Sequence, residues 1–71
     1  MAQKTKRDIE KSYKPIEFAS KLRRLADSIE SCQAFVIQVA GERLYIPANA
    51  TFNIEHERCG KSNELEFQLR W

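Results

Sequence analysis

The chain has 71 residues, of which 42% are hydrophobic and 31% charged, with only two Gly and two Pro. A chain this short supports one small core, because it buries only about 60% of the surface that its unfolded form exposes. The composition is that of a globular protein and not of a disordered, collagen-like or disulfide-rich one. The sequence contains no run of about 20 apolar residues, and its start lacks the apolar centre of a signal peptide. We therefore expect a cytoplasmic protein with one domain and no membrane contact.

The formal net charge of +2 is concentrated at the N-terminus. Residues 1–14 carry five basic and two acidic side chains, whereas the rest of the chain carries seven basic and eight acidic side chains. Apart from the first Met, residues 1–8 have no large apolar side chain that would offset the entropy of ordering them. We predict a flexible basic tail over residues 1–14 and a single domain over residues 15–71. An alternation of apolar and polar residues leaves open whether residues 6–13 add an edge strand.

The pattern after Pro15 has the 3.6-residue period of an amphipathic helix. Its apolar side chains recur at spacings of three and four residues: Phe18, Leu22, Leu25 and Ile29. Pro15 suits the first helical turn, where its missing N–H would have no partner. We predict a helix over roughly residues 15–31. No Gly follows it, so residues 31–33 must turn the chain without one.

After residue 33 the period changes to two, which is typical of strands with one apolar face. The first predicted hairpin joins AFVIQV to RLYI through a two-residue type II′ loop that begins at Gly41. This register places Val39 opposite Leu44 and Ile37 opposite Ile46.

The second predicted hairpin joins TFNIEHER to ELEFQLRW. A four-residue loop over residues 59–62 places Ile54 opposite Phe67 and Phe52 opposite Leu69, so both apolar sets lie on one side. The sequence therefore predicts an α+β fold, in which one N-terminal amphipathic helix packs on a four-stranded antiparallel β-meander. The predicted core consists of Leu22, Leu25, Phe35, Ile37, Phe52, Ile54, Phe67 and Trp71.

Three motifs in this order resemble a known family. They are the helix segment LRRLADSIES, the Gly-Glu hairpin, and the final strand ELEFQLRW, which closes on Trp71. Together they resemble the amphi-Trp domain, a small prokaryotic domain of uncharacterised function, over about residues 16–71. Members tend to have Gly just after the helix, where this chain has Ser31 and Cys32. The resemblance implies the fold above and carries over no catalytic residues.

Few side chains point to chemistry. The meander places Cys32 and Cys59 at opposite ends of the sheet, roughly 20 Å apart, too far for a disulfide. We expect two reduced thiols, with an intermolecular bridge or a redox role as the alternative. His56 is interpreted as a residue at the rim of the core, because no second metal ligand stands at a suitable spacing. Trp71 is interpreted first as core, with ligand stacking or an interface as the alternative. No catalytic, cofactor or metal site is predicted.

The register of the second hairpin places four carboxylates in two facing pairs. Glu55 lies opposite Glu66, and Glu57 lies opposite Glu64. Like charges directly opposite one another destabilise a sheet. The simpler interpretation is a solvated face whose repulsion is screened by salt. The functional interpretation is a docking face for a basic partner, the basic segment of another copy, or weakly held divalent cations.

A second candidate surface is basic and joins the N-terminal segment to the helix. Its members are Lys4, Lys6, Arg7, Lys11, Lys21, Arg23 and Arg24. Such side chains can bind phosphate backbones by releasing counterions. The function that we expect is nevertheless a non-catalytic protein-interaction module, which binds a protein partner or self-associates. Non-specific nucleic-acid binding through the tail and helix is the alternative. We do not expect an enzyme, because the sequence shows no nucleophile–base pair and no phosphate-binding Gly loop.

Overall fold

The computed structural model describes residues 7–71. One helix, α1 (Pro15–Glu30), is followed by the strands β1 (Phe35–Val39), β2 (Glu42–Ile46), β3 (Thr51–Cys59) and β4 (Ser62–Arg70). This order confirms the predicted α+β fold. Over residues 7–14 the backbone forms neither helix nor strand, so the described part of the segment adds no edge strand.

The N-terminus of α1 is set by two local features. Pro15 occupies the first turn, where no backbone donor is needed. The backbone N–H of Lys14 donates to Oε1 of Glu17 at 3.3 Å, which satisfies a donor at the helix entrance. The helix therefore begins at the predicted residue.

The C-terminus of α1 closes in a Schellman motif. The N–H of Cys32 donates to the carbonyl oxygen of Ile29 at 3.1 Å, and the N–H of Gln33 donates to that of Ser28 at 2.9 Å. This pair of bonds requires a left-handed residue, usually Gly, at the position of Cys32. Cys32 adopts that conformation, with φ of 54°. A residue with a Cβ thus occupies a position that favours Gly.

The strands form two separate two-stranded antiparallel sheets, β1 with β2 and β3 with β4. Within residues 7–71 no pairing joins β2 to β3, so the predicted meander is interrupted between its hairpins. Pro47 follows β2 directly and has no N–H with which to continue a ladder. The N–H of Ala50 donates to the carbonyl oxygen of Pro47 at 3.1 Å, and this turn redirects the chain before β3 begins.

The first hairpin differs from the prediction by two residues in register. Ile37 lies opposite Leu44 and not Ile46, and Val39 lies opposite Glu42 and not Leu44. The loop consists of Ala40 and Gly41, with φ of 48° and 84°. Two consecutive positive φ angles indicate a type I′ turn, whose twist matches that of the strands, and not the predicted type II′ turn. Because the shift is an even number of residues, each side chain keeps its predicted face.

The second hairpin has the predicted register. Ile54 pairs with Phe67, and Phe52 pairs with Leu69. The strands continue further towards the loop than predicted, so only Gly60 and Lys61 separate them. Gly60 has φ of 60°, which its missing Cβ permits at the first position of a tight turn.

The core lies between α1 and the first hairpin and is small. Among residues 7–71, the buried apolar side chains are Phe35, Ile46 and Ala50. The partly buried side chains that pack against them are Leu25, Ile37, Leu44 and Leu69. Arg24 fastens the helix to β1, because its Nη2 donates to the carbonyl oxygen of Val36 at 2.7 Å and its guanidinium lies 5.2 Å from the centroid of the Phe35 ring.

Most of the second hairpin's apolar face lies outside this core. The prediction of one contiguous core is wrong for five of its members, which are exposed: Leu22, Phe52, Ile54, Phe67 and Trp71. The physical reason is that α1 packs on the first hairpin and leaves the second hairpin uncovered. The radius of gyration is 14.3 Å, whereas a compact domain of this length has roughly 11 Å. The fold is open.

Candidate functional site

The apolar face of the second hairpin is the main exposed feature of the described chain. Ile54, Leu65 and Phe67 are 63%, 64% and 58% exposed, although they alternate onto one face as core residues would. Exposed apolar side chains of α1 continue this face. We define the open apolar surface as Phe18, Leu22, Ile29, Phe52, Ile54, Leu65 and Phe67.

Two adjoining concavities make this surface continuous. A groove of about 360 Å³ lies between α1 and β4, with Phe18 and Leu22 on one side and Leu65 on the other. A second concavity lies between the end of α1 and β3, and it is lined by Ile29 and Ile54. Both share Leu25, Phe67 and Leu69. A ligand that covered one concavity would therefore also contact the other.

Polar groups border the open apolar surface at both ends. The ammonium groups of Lys11 and Lys21 lie 5.6 and 5.1 Å from the centroid of the Tyr13 ring, within range of a cation–π interaction. At the tip of the hairpin, Oδ1 of Asn63 lies 2.8 Å from Nε2 of His56. The same oxygen accepts a hydrogen bond from Nε of Arg58 at 3.1 Å. An apolar centre with polar margins is the usual arrangement of a protein–protein interface.

The opposite face of the hairpin is acidic. Glu55 pairs with Glu66, and Glu57 pairs with Glu64, as the register predicts. The first pair is bridged by Gln68, whose Nε2 donates to Oε2 of Glu55 at 3.4 Å and to Oε2 of Glu66 at 3.2 Å. This amide reduces the repulsion between the two carboxylates. Sequence reasoning missed this bridge, although Gln68 is two residues from Glu66 and thus on the same face.

Among residues 7–71 no side chain bridges the second pair, and its carboxylates lie close to that of Glu66. The negative charge of Glu66 is the largest cause that raises the pKa of Glu64, and a hydrogen bond with the Glu66 side chain and the charge of Glu57 add to it. Oxygen atoms of Glu57, Glu64 and Glu66 lie within 4.8 Å of one another. Hard divalent cations prefer such oxygen ligands. Exposed carboxylates often lie this close without a cation, so the geometry alone does not define a metal centre.

The predicted basic surface is divided among different parts of the fold. Nη2 of Arg7 donates to the carbonyl oxygen of Val39 at 2.7 Å, and its Nε lies 2.8 Å from Oε1 of Glu42. These contacts attach the N-terminal segment to the turn of the first hairpin. Arg24 contacts β1, while Lys11 and Lys21 meet at Tyr13. Arg23 is exposed on α1, and residues 4 and 6 lie outside the described residues.

The remaining candidates have simple environments. Cys32 and Cys59 are free and exposed. Trp71 follows β4 and is 63% exposed, so its interpretation as core is wrong. As for the open apolar surface, no element within residues 7–71 covers it.

Within residues 7–71, one helix and two hairpins, of which the second has an exposed apolar face, define a small, open α+β domain. The chain belongs to the Amphi-Trp domain family, whose model matches residues 1–71. The match therefore includes the N-terminal segment as well as the region that carries the three motifs. No curated protein and no solved structure is significantly similar to the chain. In the part that the structure describes, α1 is too short and too polar to cross a membrane.

Proposed function

We propose that this chain is a non-catalytic protein-interaction module that binds its partner through the open apolar surface. The observation that carries the proposal is the exposure of Ile54, Leu65 and Phe67 on a regular hairpin whose two strands have nine residues each. Contiguous exposed apolar patches of several hundred Å² mark interaction sites in soluble proteins. The hairpin is well formed, so its apolar face is available for docking and is not the product of a frayed strand.

The size of the surface supports a protein partner. If each fully exposed large apolar residue presents about 200 Å², the seven residues present roughly 700 Å² in total. A standard protein–protein interface buries about 800 Å² on each partner. Small-molecule sites are instead enclosed and surround most of their ligand. The open apolar surface thus has the area and the shape of a protein interface.

Two neighbouring residues on β3 allow a matched test. Ile54 lies on the open apolar surface, whereas Asn53 lies on the opposite face, where its Nδ2 donates to Oε1 of Gln68 at 2.7 Å. Ile54→Lys and Asn53→Lys each add one positive charge, one to each face. Immobilised full chains would be incubated with cell lysate, and the captured protein, including further copies of the chain, would be quantified.

We expect the Ile54→Lys chain to capture much less protein than the unaltered chain and the Asn53→Lys chain to capture about as much. Circular dichroism would first establish that both variants keep the helix and strand content of the unaltered chain. Equal capture by a folded Ile54→Lys chain and the unaltered chain would contradict the proposal.

A further inference from the structure

We infer that the partner on the open apolar surface is a second copy of this chain, in a two-fold symmetric dimer that packs the open apolar surface of one copy, centred on its second hairpin, against that of the other. This inference rests on the proposed function, since it names the partner for the same surface. A two-fold axis requires one patch to pack against itself. The face of β3 and β4 that carries Ile54 and Phe67 can do so, because two sheets pack with their side chains interleaved about 10 Å apart.

The area of the open apolar surface supports this assignment. The exposed parts of its seven side chains, on α1 as well as on β3 and β4, present roughly 700 Å². Two copies would therefore bury about 1400 Å² together, which lies within the range of about 1200 to 2000 Å² for stable interfaces.

The stability of the second hairpin points to a partner that is always present. A two-stranded hairpin is marginal in water unless a third strand, a helix or another surface covers its apolar face. Within residues 7–71, β3 and β4 pair only with each other, and the buried core contains only Phe35, Ile46 and Ala50. A second copy is present whenever the chain is made, and packing against it adds stability that depends on the protein concentration.

The distribution of charge is compatible with this packing. The four carboxylates of the hairpin lie on the face opposite Ile54 and Phe67. Packing the apolar faces therefore leaves Glu57 and Glu64 in solvent, where water and salt screen their repulsion. Packing the acidic faces would instead bring like charges together and would disfavour the dimer.

The four Phe residues of the chain provide a direct test. Phe35 is buried in the core, whereas Phe18, Phe52 and Phe67 belong to the open apolar surface. The full chain would be labelled with fluorophenylalanine, and its mass would be measured by sedimentation equilibrium. A paramagnetic co-solute would then report which ¹⁹F signals are exposed to solvent. Phe35 serves as the internal standard for a shielded ring.

We expect a mass of about twice 8.3 kDa, with Phe52 and Phe67 shielded nearly as well as Phe35. The Ile54→Lys variant should shift at least about 90% of the dimer to monomer at the same concentration, and Asn53→Lys should not. A monomer with exposed Phe52 and Phe67 would overturn the inference that the partner is a second copy. It would leave the proposed function intact, with a different protein as the partner on the open apolar surface.

Two further results would count against the inference in different ways. A monomer with shielded Phe52 and Phe67 would mean that the chain covers its own apolar face, and this would overturn both the dimer and the proposed function. A dimer with exposed Phe52 and Phe67 would show self-association through another surface, and this would overturn the inferred packing.

Discussion

The end of α1 offers a change that should stabilise the domain. Cys32 holds φ of 54°, a conformation that costs a residue with a Cβ roughly 1 to 2 kcal/mol. Gly adopts it freely but loses about 0.5 to 1 kcal/mol more on folding, because its unfolded chain is more flexible. Cys32 is exposed, so little packing is lost with its side chain. We therefore expect Cys32→Gly to raise the free energy of unfolding by about 0.5 to 1 kcal/mol.

The neighbouring residue provides the control. Ser31 has φ of −87° and ψ of 1°, which any residue adopts, so Ser31→Gly should lower stability by about 0.5 to 1 kcal/mol. Thermal unfolding followed by circular dichroism, at one protein concentration, should place the two melting temperatures on opposite sides of that of the unaltered chain. The difference between them should be about 4 to 16 °C. A Cys32→Gly chain that melts below the unaltered one would refute the Schellman assignment.

Three other changes test the hairpins and the charges. Ala40→Asn should raise the melting temperature by about 2 to 6 °C, because Asn tolerates the left-handed conformation that a type I′ turn requires; no gain would contradict that turn type. Glu57→Lys should raise the melting temperature at low salt and lose the gain near 1 M salt, since it faces Glu64 across the hairpin; a lower melting temperature at low salt would show that the two do not face each other. The folded chain binds the Glu64 proton more tightly than the unfolded chain, because the pKa is raised from 4.5. The contribution of Glu64 to stability should therefore fall as the pH rises from 4.5 through the raised pKa. The Glu64→Gln variant should lack this pH dependence of stability. If the variant keeps the same dependence, groups other than Glu64 cause it. Finally, the full chain should give no band shift with duplex DNA at about 50 mM salt, and a shift that weakens steeply with salt would restore the nucleic-acid alternative.

The sequence predicts the elements of this fold well, because each has a local signal. The period of 3.6 and Pro15 define the start of α1, and the period of two defines four strands. The second hairpin's register follows from matching Ile54 with Phe67. In the first hairpin the signal is ambiguous, since a loop that begins at Gly41 and one that begins at Ala40 both align apolar residues. The assumption that only Gly adopts a positive φ favours the loop that begins at Gly41, whereas the structure has the loop that begins at Ala40.

The sequence does not predict which apolar faces are covered. Alternation shows that Ile54, Leu65 and Phe67 share a face, but it carries no information on whether α1, a second copy or water lies against it. The prediction of one contiguous core assumes that a single chain covers all its apolar stripes. One signal against that assumption was present, because a chain of 71 residues has too few elements to cover both sheets and the helix.

The concentration dependence of thermal unfolding tests the central claim most directly. If the open apolar surface is covered by a second copy, dilution favours unfolding, and a hundredfold dilution lowers the stability of the dimer by about 2.7 kcal/mol. With an unfolding entropy of about 2.1 cal/mol/K for each residue of both copies, the melting temperature should fall by about 9 °C. A melting temperature that is unchanged over the same hundredfold dilution would contradict the claim, because it would show that the chain folds and unfolds as a monomer.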